Sequence, residues 1–303
     1  MSSATRELEI VAPGPLATVQ DLGRPTYAQL GVPPSGAADP AALRLANRLV
    51  GNPDGAAALE LTLGGLIARF GPGAGTSAPP LMAITGARCP ITLDGHGAGG
   101  MNAPFPIPSG AVLALGAPER GLRTYLAIRG GIAVPPVLGS RSTDTLSGLG
   151  PAVLARGDRL PIGTETAGLP AVDTAAVPDH PDEISLPVTP GPRAGWFGPE
   201  ALTRLCAGEY RVSPDSNRVG IRLDGPPLTR PEPAELPSEG LIAGAVQIPA
   251  GGLPVVFLAD HPVTGGYPVI AVVPAGAIGL VAQARPGQPV RFHVRASYPW
   301  LAG

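Results

Sequence analysis

The stretch PVVFLADHPVTGGYPVIAVV, residues 254–273, contains two apolar runs of β-branched and aromatic residues separated by polar residues and glycines. Runs of this kind predict two β-strands, at 254–259 and 268–273. The pair Gly265 and Gly266 predicts a turn between them. The polar residues in this turn raise the question of whether it is only a hairpin tip or a binding loop.

Short apolar runs of the same kind recur through the 303 residues and predict a mainly β protein. The first of two predicted helices has Asp39 as its N-cap and Pro40 at its first position, and Gly51 ends it. The second runs from Pro199 to Gly208. Because the helices do not alternate regularly with strands, a doubly wound α/β sheet is disfavoured. The further runs that predict strands are 8–12, 81–85, 111–115, 123–128, 240–248, 278–283 and 290–294.

Residues 164–185 are rich in Thr, Ala, Pro and acids and lack periodicity, which predicts a linker between domains at 1–163 and 186–303. Four short motifs occur on both sides of this linker in the same order, which indicates an internal duplication. We therefore expect two β-barrel domains with a few short helices. The matched motifs are 11–15 with 188–192, 31–36 with 211–216, 81–87 with 255–261, and 108–115 with 274–281.

The composition excludes several classes of function. All 21 basic residues are arginine, so the chain has no P-loop lysine, no Schiff-base lysine and no lysine to carry biotin. The net charge of −2 makes nucleic acid an unexpected partner. Without a long apolar run or an apolar leader we expect a soluble, cytoplasmic protein that does not enter a membrane. The four histidines lack metal-ligand spacing, so we predict no metal site.

The turn of the opening stretch is the first candidate site. If Gly265 and Gly266 have positive φ, their N–H groups can form an anion-binding nest. Thr264 adds a hydroxyl, Asp260 adds a base or an acceptor, and Tyr267 follows directly. The alternative is a plain β-hairpin with a polar tip.

Two long loops form the other candidate groups. Residues 18–40 contain Arg24 and Ser35, and residues 129–150 contain Arg141 and Ser142. Long loops within compact domains are usually functional or disordered, and the prolines here argue against disorder. The arginines can bind a carboxylate or phosphate, or they can tie the loops to backbone carbonyls.

Three further polar residues lie beside predicted strands, namely Glu60, Glu239 and Gln247. A carboxylate buried at such a position needs a partner. We expect Arg218 or Arg222 to supply it.

Several long motifs together make the chain recognisable. They resemble the biotin-dependent carboxyltransferase-like family, also called allophanate hydrolase subunit 2 or KipA and now mostly named for the C subunit of 5-oxoprolinase. The resemblance covers about residues 8–298. The motifs that carry it are TVQDLGRP, GVPPSGAAD, LANRLVGNPDGAAALELT, YLAIRGGIAVPPVLGSRST, YRVSPDSNRVGIRL, SEGLIAGAVQIPAGGLPVV and VTGGYPVIA.

The resemblance implies cyclophilin-like β-barrels and a KipI-like partner, the B subunit of 5-oxoprolinase. It also implies ATP, with Mg²⁺, as the reagent that activates 5-oxoproline, and a LamB/YcsF-like A subunit for ring opening to glutamate. Biotin would be carried elsewhere. On this hypothesis the catalytic residues are Asp260, Glu239 and Thr264. The residues expected to bind substrate or phosphate are Arg24, Ser35, Arg141, Ser142, Arg218, Gln247, Gly265, Gly266 and Tyr267.

The chain departs from the family pattern at two positions. The family commonly has an acid where this chain has Asn217, and a threonine where it has Val263. Two alternative functions stay open: a carboxyltransferase component that acts on urea or another amide, and a non-catalytic KipA-like regulator that binds a KipI-type kinase inhibitor.

Overall fold

A computed structural model gives the positions of most of the chain. None of the helices in the described residues is both long enough and apolar enough to span a membrane. The structure describes residues 6–71, 79–170, 172–177, 179–230 and 236–295.

The chain divides into two compact units. The first comprises Met1–Thr26 and Pro34–His180, and the second comprises Tyr27–Pro33 and Pro181–Gly303. The boundary after residue 180 falls within the stretch 164–185, whereas the sequence gives no sign that Tyr27–Pro33 groups with the second unit.

The first unit contains eleven described strands in two sheets. The six-stranded sheet has the order β11-β1-β4-β9-β6-β7, and the five-stranded sheet has the order β2-β3-β10-β5-β8. The strands are β1 (Glu7–Ala12), β2 (Leu16–Gln20), β3 (Ala58–Thr62), β4 (Ile67–Phe70), β5 (Leu81–Gly86), β6 (Ile91–Leu93), β7 (His96–Gly97), β8 (Pro104–Pro106), β9 (Val112–Leu115), β10 (Arg123–Ile128) and β11 (Arg159–Pro161).

Successive side chains along β3 and β10 point to opposite faces of the five-stranded sheet, and each face therefore contributes to a separate hydrophobic core. Leu59 and Leu126 join the core that also contains Leu8 of the six-stranded sheet. Ala58 and Tyr125 point to the other face, where they pack against helix α1 (Pro40–Leu49). Glu60 lies two residues after Ala58 on β3, so its side chain points to the same face of the sheet, toward α1.

Helix α1 (Pro40–Leu49) confirms the predicted helix. The Asp39 carboxylate accepts a hydrogen bond from the Ala42 N–H at 3.1 Å, which satisfies one of the free N–H groups of the first turn. Gly51 has φ +71, as expected for a residue just beyond a helix end.

The second unit is a closed barrel with the strand order β12-β19-β16-β17-β14-β13-β20. Its parallel pair, β12 with β20, aligns Leu186 with Phe292 in the core. A separate two-stranded ladder joins β15 to β18. The elements are β12 (Ile184–Pro190), α2 (Ala201–Ala207), β13 (Tyr210–Val212), β14 (Gly220–Asp224), β15 (Glu239–Gly240), β16 (Ala245–Gln247), β17 (Val255–Phe257), β18 (Thr264–Gly265), β19 (Val269–Val272), α3 (Ile278–Ala282) and β20 (Pro289–Val294), with short 3₁₀ helices at Ala28–Leu30, Ala194–Phe197 and Ala275–Ala277.

The mainly β class is confirmed, but two details differ from expectation. The two-barrel prediction holds for the second unit, whereas the described strands of the first unit form two sheets. The strand predicted at 278–283 is helix α3, in which Ile278, Val281 and Ala282 are buried at helical spacing. A short apolar run does not distinguish strand from helix. One of the four repeated motifs therefore matches strand β9 to a helix, and the duplication stays a prediction.

Candidate functional site

Asp21 organises the loops of the first unit. Its Oδ1 accepts hydrogen bonds from the Gly23 N–H at 2.7 Å, the Ser140 hydroxyl at 2.7 Å and the Ser142 hydroxyl at 2.5 Å. Its Oδ2 accepts from the Arg141 N–H at 2.6 Å. One buried carboxylate thus ties the loop that carries Arg24 to the loop that carries Arg141 and Ser142.

Arg24 and Arg141 donate to backbone carbonyls. The Arg24 Nη2 lies 2.5 Å from the Ser142 oxygen and its Nε lies 3.4 Å from the Val137 oxygen, while the Arg141 Nε lies 2.8 Å from the Val134 oxygen. Arg24 is only 1% exposed, and its Nη1 has no hydrogen-bond partner among the described residues. Both of its bonded acceptors are neutral carbonyls, so no ion pair within the described residues compensates the buried Arg24 charge.

Gln20, Ser35 and Thr143 complete this group. The Ser35 hydroxyl and the Gln20 amide both donate to the Thr143 carbonyl, at 3.1 and 2.9 Å. The Gln20 Oε1 and the Thr143 Oγ1 are buried and have no partner in the described part of the chain. We call Gln20, Asp21, Arg24, Ser35 and residues 140–143 the loop cluster.

Arg218 and Asp260 form a buried ion pair in the barrel. Arg218 Nε lies 2.9 Å from Oδ2 and Nη2 lies 3.0 Å from Oδ1, and both side chains are at most 1% exposed. The Asp260 N–H also donates to the Arg218 carbonyl at 3.1 Å. This geometry favours a structural role for both residues over direct contact with a substrate.

Glu239 pairs with Arg193, and not with Arg218 or Arg222 as expected. The Arg193 Nε lies 3.1 and 3.2 Å from the two Glu239 carboxylate oxygens, and the Arg193 guanidinium lies 5.4 Å from the centre of the Trp196 ring. About a third of each paired side chain is exposed. The hydrogen bond from Arg193 lowers the pKa of Glu239 and raises the pKa of Arg193.

Gly265 and Gly266 do not have the positive φ that the predicted nest requires. Gly265 instead pairs with Glu239 in the β15–β18 ladder. A Cβ on Gly265 would lie 2.7 Å from the Leu241 Cδ1 and 2.9 Å from the Gln247 Nε2. The glycine is therefore favoured by close packing against these two side chains, and not by backbone conformation.

The surroundings of this turn are partly exposed. Thr264, Gly266 and Tyr267 are on the surface, and Gln247 is buried with its Nε2 2.7 Å from the Tyr267 carbonyl. Thr264, Gly265, Tyr267, Gln247 and Glu239 are thus brought together around the β15–β18 ladder.

Glu60 also has a different partner from the one expected. Its Oε1 lies 3.5 Å from the Arg123 Nε, and its Oε2 accepts from the Tyr125 hydroxyl at 2.7 Å and from the Ala38 N–H at 2.8 Å. Burial, together with the charge of Glu60, raises the pKa of Tyr125 well above its usual value. This network fixes the chain just before α1.

The predicted residues form one group in the first unit, whereas in the second unit they lie in the Arg218–Asp260 pair and around the β15–β18 ladder. Arg24, Ser35, Arg141 and Ser142 meet in the loop cluster of the first unit. Sequence reasoning did not single out Arg193 or Trp196, because an arginine and a tryptophan after a strand carry no distinctive spacing. No group of three or more His, Cys, Asp or Glu side chains able to hold a metal occurs among residues whose positions are described.

Comparison with known proteins places these features in a family. The profile of the carboxyltransferase domain, subdomain A and B, matches residues 30–294. The chain belongs to this carboxyltransferase domain family. It is 39% identical over 288 residues to the C subunit of 5-oxoprolinase from Escherichia coli K12, covering 94% of this chain and 90% of that protein. It is 30% identical to the corresponding 5-oxoprolinase C subunit of Haemophilus influenzae, covering 91% and 87% of the two chains.

The fold matches the crystal structure of the K. lactis urea amidolyase with a TM-score of 0.85 and 30% identity. The match covers 96% of this chain and 19% of that one. The chain therefore corresponds to a small part of the urea amidolyase and to most of a 5-oxoprolinase C subunit.

Proposed function

We propose that this chain is the C subunit of an ATP-dependent 5-oxoprolinase. It acts with a KipI-like B subunit, which shares the ATP and Mg²⁺ site, and with a LamB/YcsF-like A subunit. The observation that carries the proposal is the match to 90% of the length of the Escherichia coli C subunit, at 39% identity.

The reaction explains why arginines are needed. A lactam carbonyl is a poor electrophile, and phosphoryl transfer from ATP to its oxygen converts that oxygen into a leaving group. One water then adds to the activated carbon and the ring C–N bond breaks, which frees the amine and leaves an acyl phosphate. A second water hydrolyses this acyl phosphate, so that 5-oxoproline, ATP and two waters give glutamate, ADP and phosphate. Negative charge develops on oxygen atoms at each stage, and preorganised N–H donors stabilise it.

The loop cluster supplies such donors in our proposal. The Arg24 Nη1 would bind the substrate carboxylate or the transferring phosphoryl oxygen, and the Arg141 guanidinium would add a second contact. Ser35 and Ser142 would keep these loops in place through their bonds to the Thr143 carbonyl and to Asp21. Because the chain has no lysine, any side-chain cation that it offers the nucleotide is an arginine.

The β15–β18 ladder of the second unit supplies the remaining proposed groups. Glu239 is ionised at neutral pH with or without Arg193, so its carboxylate can orient a water molecule. The hydrogen bond from Arg193 lowers the pKa of Glu239 further, which favours this orienting role over proton transfer. Thr264 is exposed on the partner strand, where it pairs with Gly240, and in our proposal its hydroxyl donates a hydrogen bond to the substrate. Asp260 would act only indirectly, by holding Arg218.

Reconstitution with the A and B subunits tests the proposal. We expect glutamate to form from 5-oxoproline only when all three subunits and ATP are present. An assembled complex that neither hydrolyses ATP with 5-oxoproline nor forms glutamate would contradict it. A chain that binds the KipI-like B subunit without supporting any turnover would favour the regulatory alternative.

The match to the urea amidolyase favours a second candidate, a carboxyltransferase component that acts on urea or another amide. This function requires carboxybiotin from another protein, because the chain has no lysine to carry biotin. The same complex assayed with urea and a carboxylated biotin carrier distinguishes the two candidates.

A further inference from the structure

A cavity of about 820 Å³ lies in the first unit, away from the loop cluster. It is bounded by the hairpin of β6 and β7, the glycine-rich loop that follows it, and the segment before β10. None of the predicted site residues lines it. Its size is within the range of pockets that bind small molecules.

Three cationic or donor side chains line this cavity, namely Arg88, Arg120 and His180. Arg88 is exposed and forms no ion pair among the described residues. The His180 Nε2 is buried and has no hydrogen-bond partner within the described part of the chain. An unpaired buried nitrogen costs free energy, which a bound acceptor would remove.

The position of the His180 ring is fixed by packing. Gly121 has φ +73, and a Cβ at this position would lie 2.7 Å from the His180 Cδ2. The imidazole therefore occupies space that only a glycine leaves free.

The other walls limit the kind of ligand. Ile91, Met101 and Val177 provide apolar surface. Glu119 and Asp179 also line the cavity, with Asp179 lying 3.9 Å from Arg120. The two acids disfavour a polyanion such as a nucleoside triphosphate, and the apolar wall favours a ligand with a hydrophobic body.

We propose that this cavity binds a small organic anion, whose carboxylate or phosphate group is held by Arg88 and by the His180 Nε2–H while its apolar body contacts Ile91 and Met101. The site is separate from the loop cluster and does not depend on the proposed function.

Isothermal titration of the full chain with benzoate and with phenyl phosphate tests this site. The two probes share an aromatic body and distinguish a carboxylate from a phosphate. We expect at least one to bind with a Kd of about 1 mM or lower, and Arg88→Ala and His180→Ala to weaken that binding by about tenfold or more. Arg156→Ala, an exposed arginine of the same unit outside the cavity, is the matched control and should bind like the wild type.

Two results would overturn the proposal. One is the absence of binding by both probes at concentrations of about 10 mM. The other is an Arg88→Ala variant that binds as tightly as Arg156→Ala. Because Arg88 is exposed, its replacement leaves the fold intact, and an unchanged unfolding temperature verifies this.

Discussion

Arginines in the two units have different partners. In the loop cluster, Arg24 donates to the carbonyls of Ser142 and Val137, while the nearby Asp21 carboxylate is bound by N–H and hydroxyl groups. In the barrel, Arg218 and Arg193 are each paired with a carboxylate. Because neutral donors satisfy the Asp21 carboxylate, Arg24 has no acid bonded to it in the described part of the chain, unlike the two barrel arginines.

The motif that stands out most in the sequence is not the part of the structure that best fits an anion-binding site. The TGGY turn is the most distinctive motif, but its glycines lack positive φ and one of them is paired in a ladder. The less distinctive loops 18–40 and 129–150 hold Arg24 and Arg141, neither of which forms an ion pair among the described residues. Substitutions in each region separately test the assignment of structural roles to the barrel residues and of anion binding to the loop cluster.

The largest expected effect is on stability, at Arg218. Arg218→Ala removes the guanidinium that is bonded to the buried Asp260 carboxylate and should lower the free energy of unfolding by about 3–5 kcal/mol. Urea denaturation measures the change, and Arg222→Ala, an exposed residue of β14, is the control. Equal losses in the two variants would show that the pair is not structural. The double variant Arg218→Met, Asp260→Leu should recover much of the loss.

The second largest effect on stability is expected at Asp21. Asp21→Asn replaces an acceptor oxygen by an NH₂ group, so at least one buried donor loses its acceptor, and unfolding should become easier by about 2–3 kcal/mol. Asp158→Asn removes a single, exposed hydrogen bond in the same unit and should be nearly neutral. If Asp21→Asn is also neutral, the carboxylate does not organise the loop cluster.

The TGGY turn provides a smaller test. Gly265→Ala places a methyl group against Leu241 and Gln247, and should cost about 1–2 kcal/mol of stability in thermal or chemical unfolding. Gly266→Ala meets its nearest atom, the Leu236 oxygen, at 3.6 Å and should change stability by less than about 0.5 kcal/mol. Equal effects at the two positions would contradict the close-packing role of Gly265.

The smallest expected effect is on how the stability of the protein changes with pH. The pKa of Glu239 is lowered in the folded protein, so its pair with Arg193 adds stability above the ordinary Glu pKa of about 4.3 and loses it as pH falls through the lowered value. Glu239→Gln should therefore reduce the unfolding temperature slightly at neutral pH and not at the acidic end of the scan. If the difference in unfolding temperature between Glu239→Gln and the wild type is the same at every pH, the ionic pairing is contradicted.

Local chemistry made some features predictable. The N-cap, proline and terminal glycine of α1 lie within the helix and its flanks, and the structure has all three in these roles. The polar composition of two long loops also indicated the residues that meet in the loop cluster.

Long-range pairing could not be predicted in the same way. Arg218 and Asp260 are 42 residues apart, and Arg193 and Glu239 are 46 residues apart, so each pair depends on how the barrel closes. Helix α3 was predicted as a strand because a run of five apolar residues fits the side-chain period of a strand as well as that of a helix. The partner of Glu60 likewise depends on the register of β3 against β10.

The most direct test compares Arg24→Gln with Arg193→Gln in the reconstituted three-subunit complex, by the rate of glutamate formation from 5-oxoproline. We predict that Arg24→Gln lowers kcat/KM by about 100-fold, because one charged donor to a developing anion is lost, while Arg193→Gln keeps most of the activity. An Arg24→Gln enzyme as active as the wild type, or an Arg193→Gln enzyme that loses as much, would contradict the assignment of anion binding to the loop cluster.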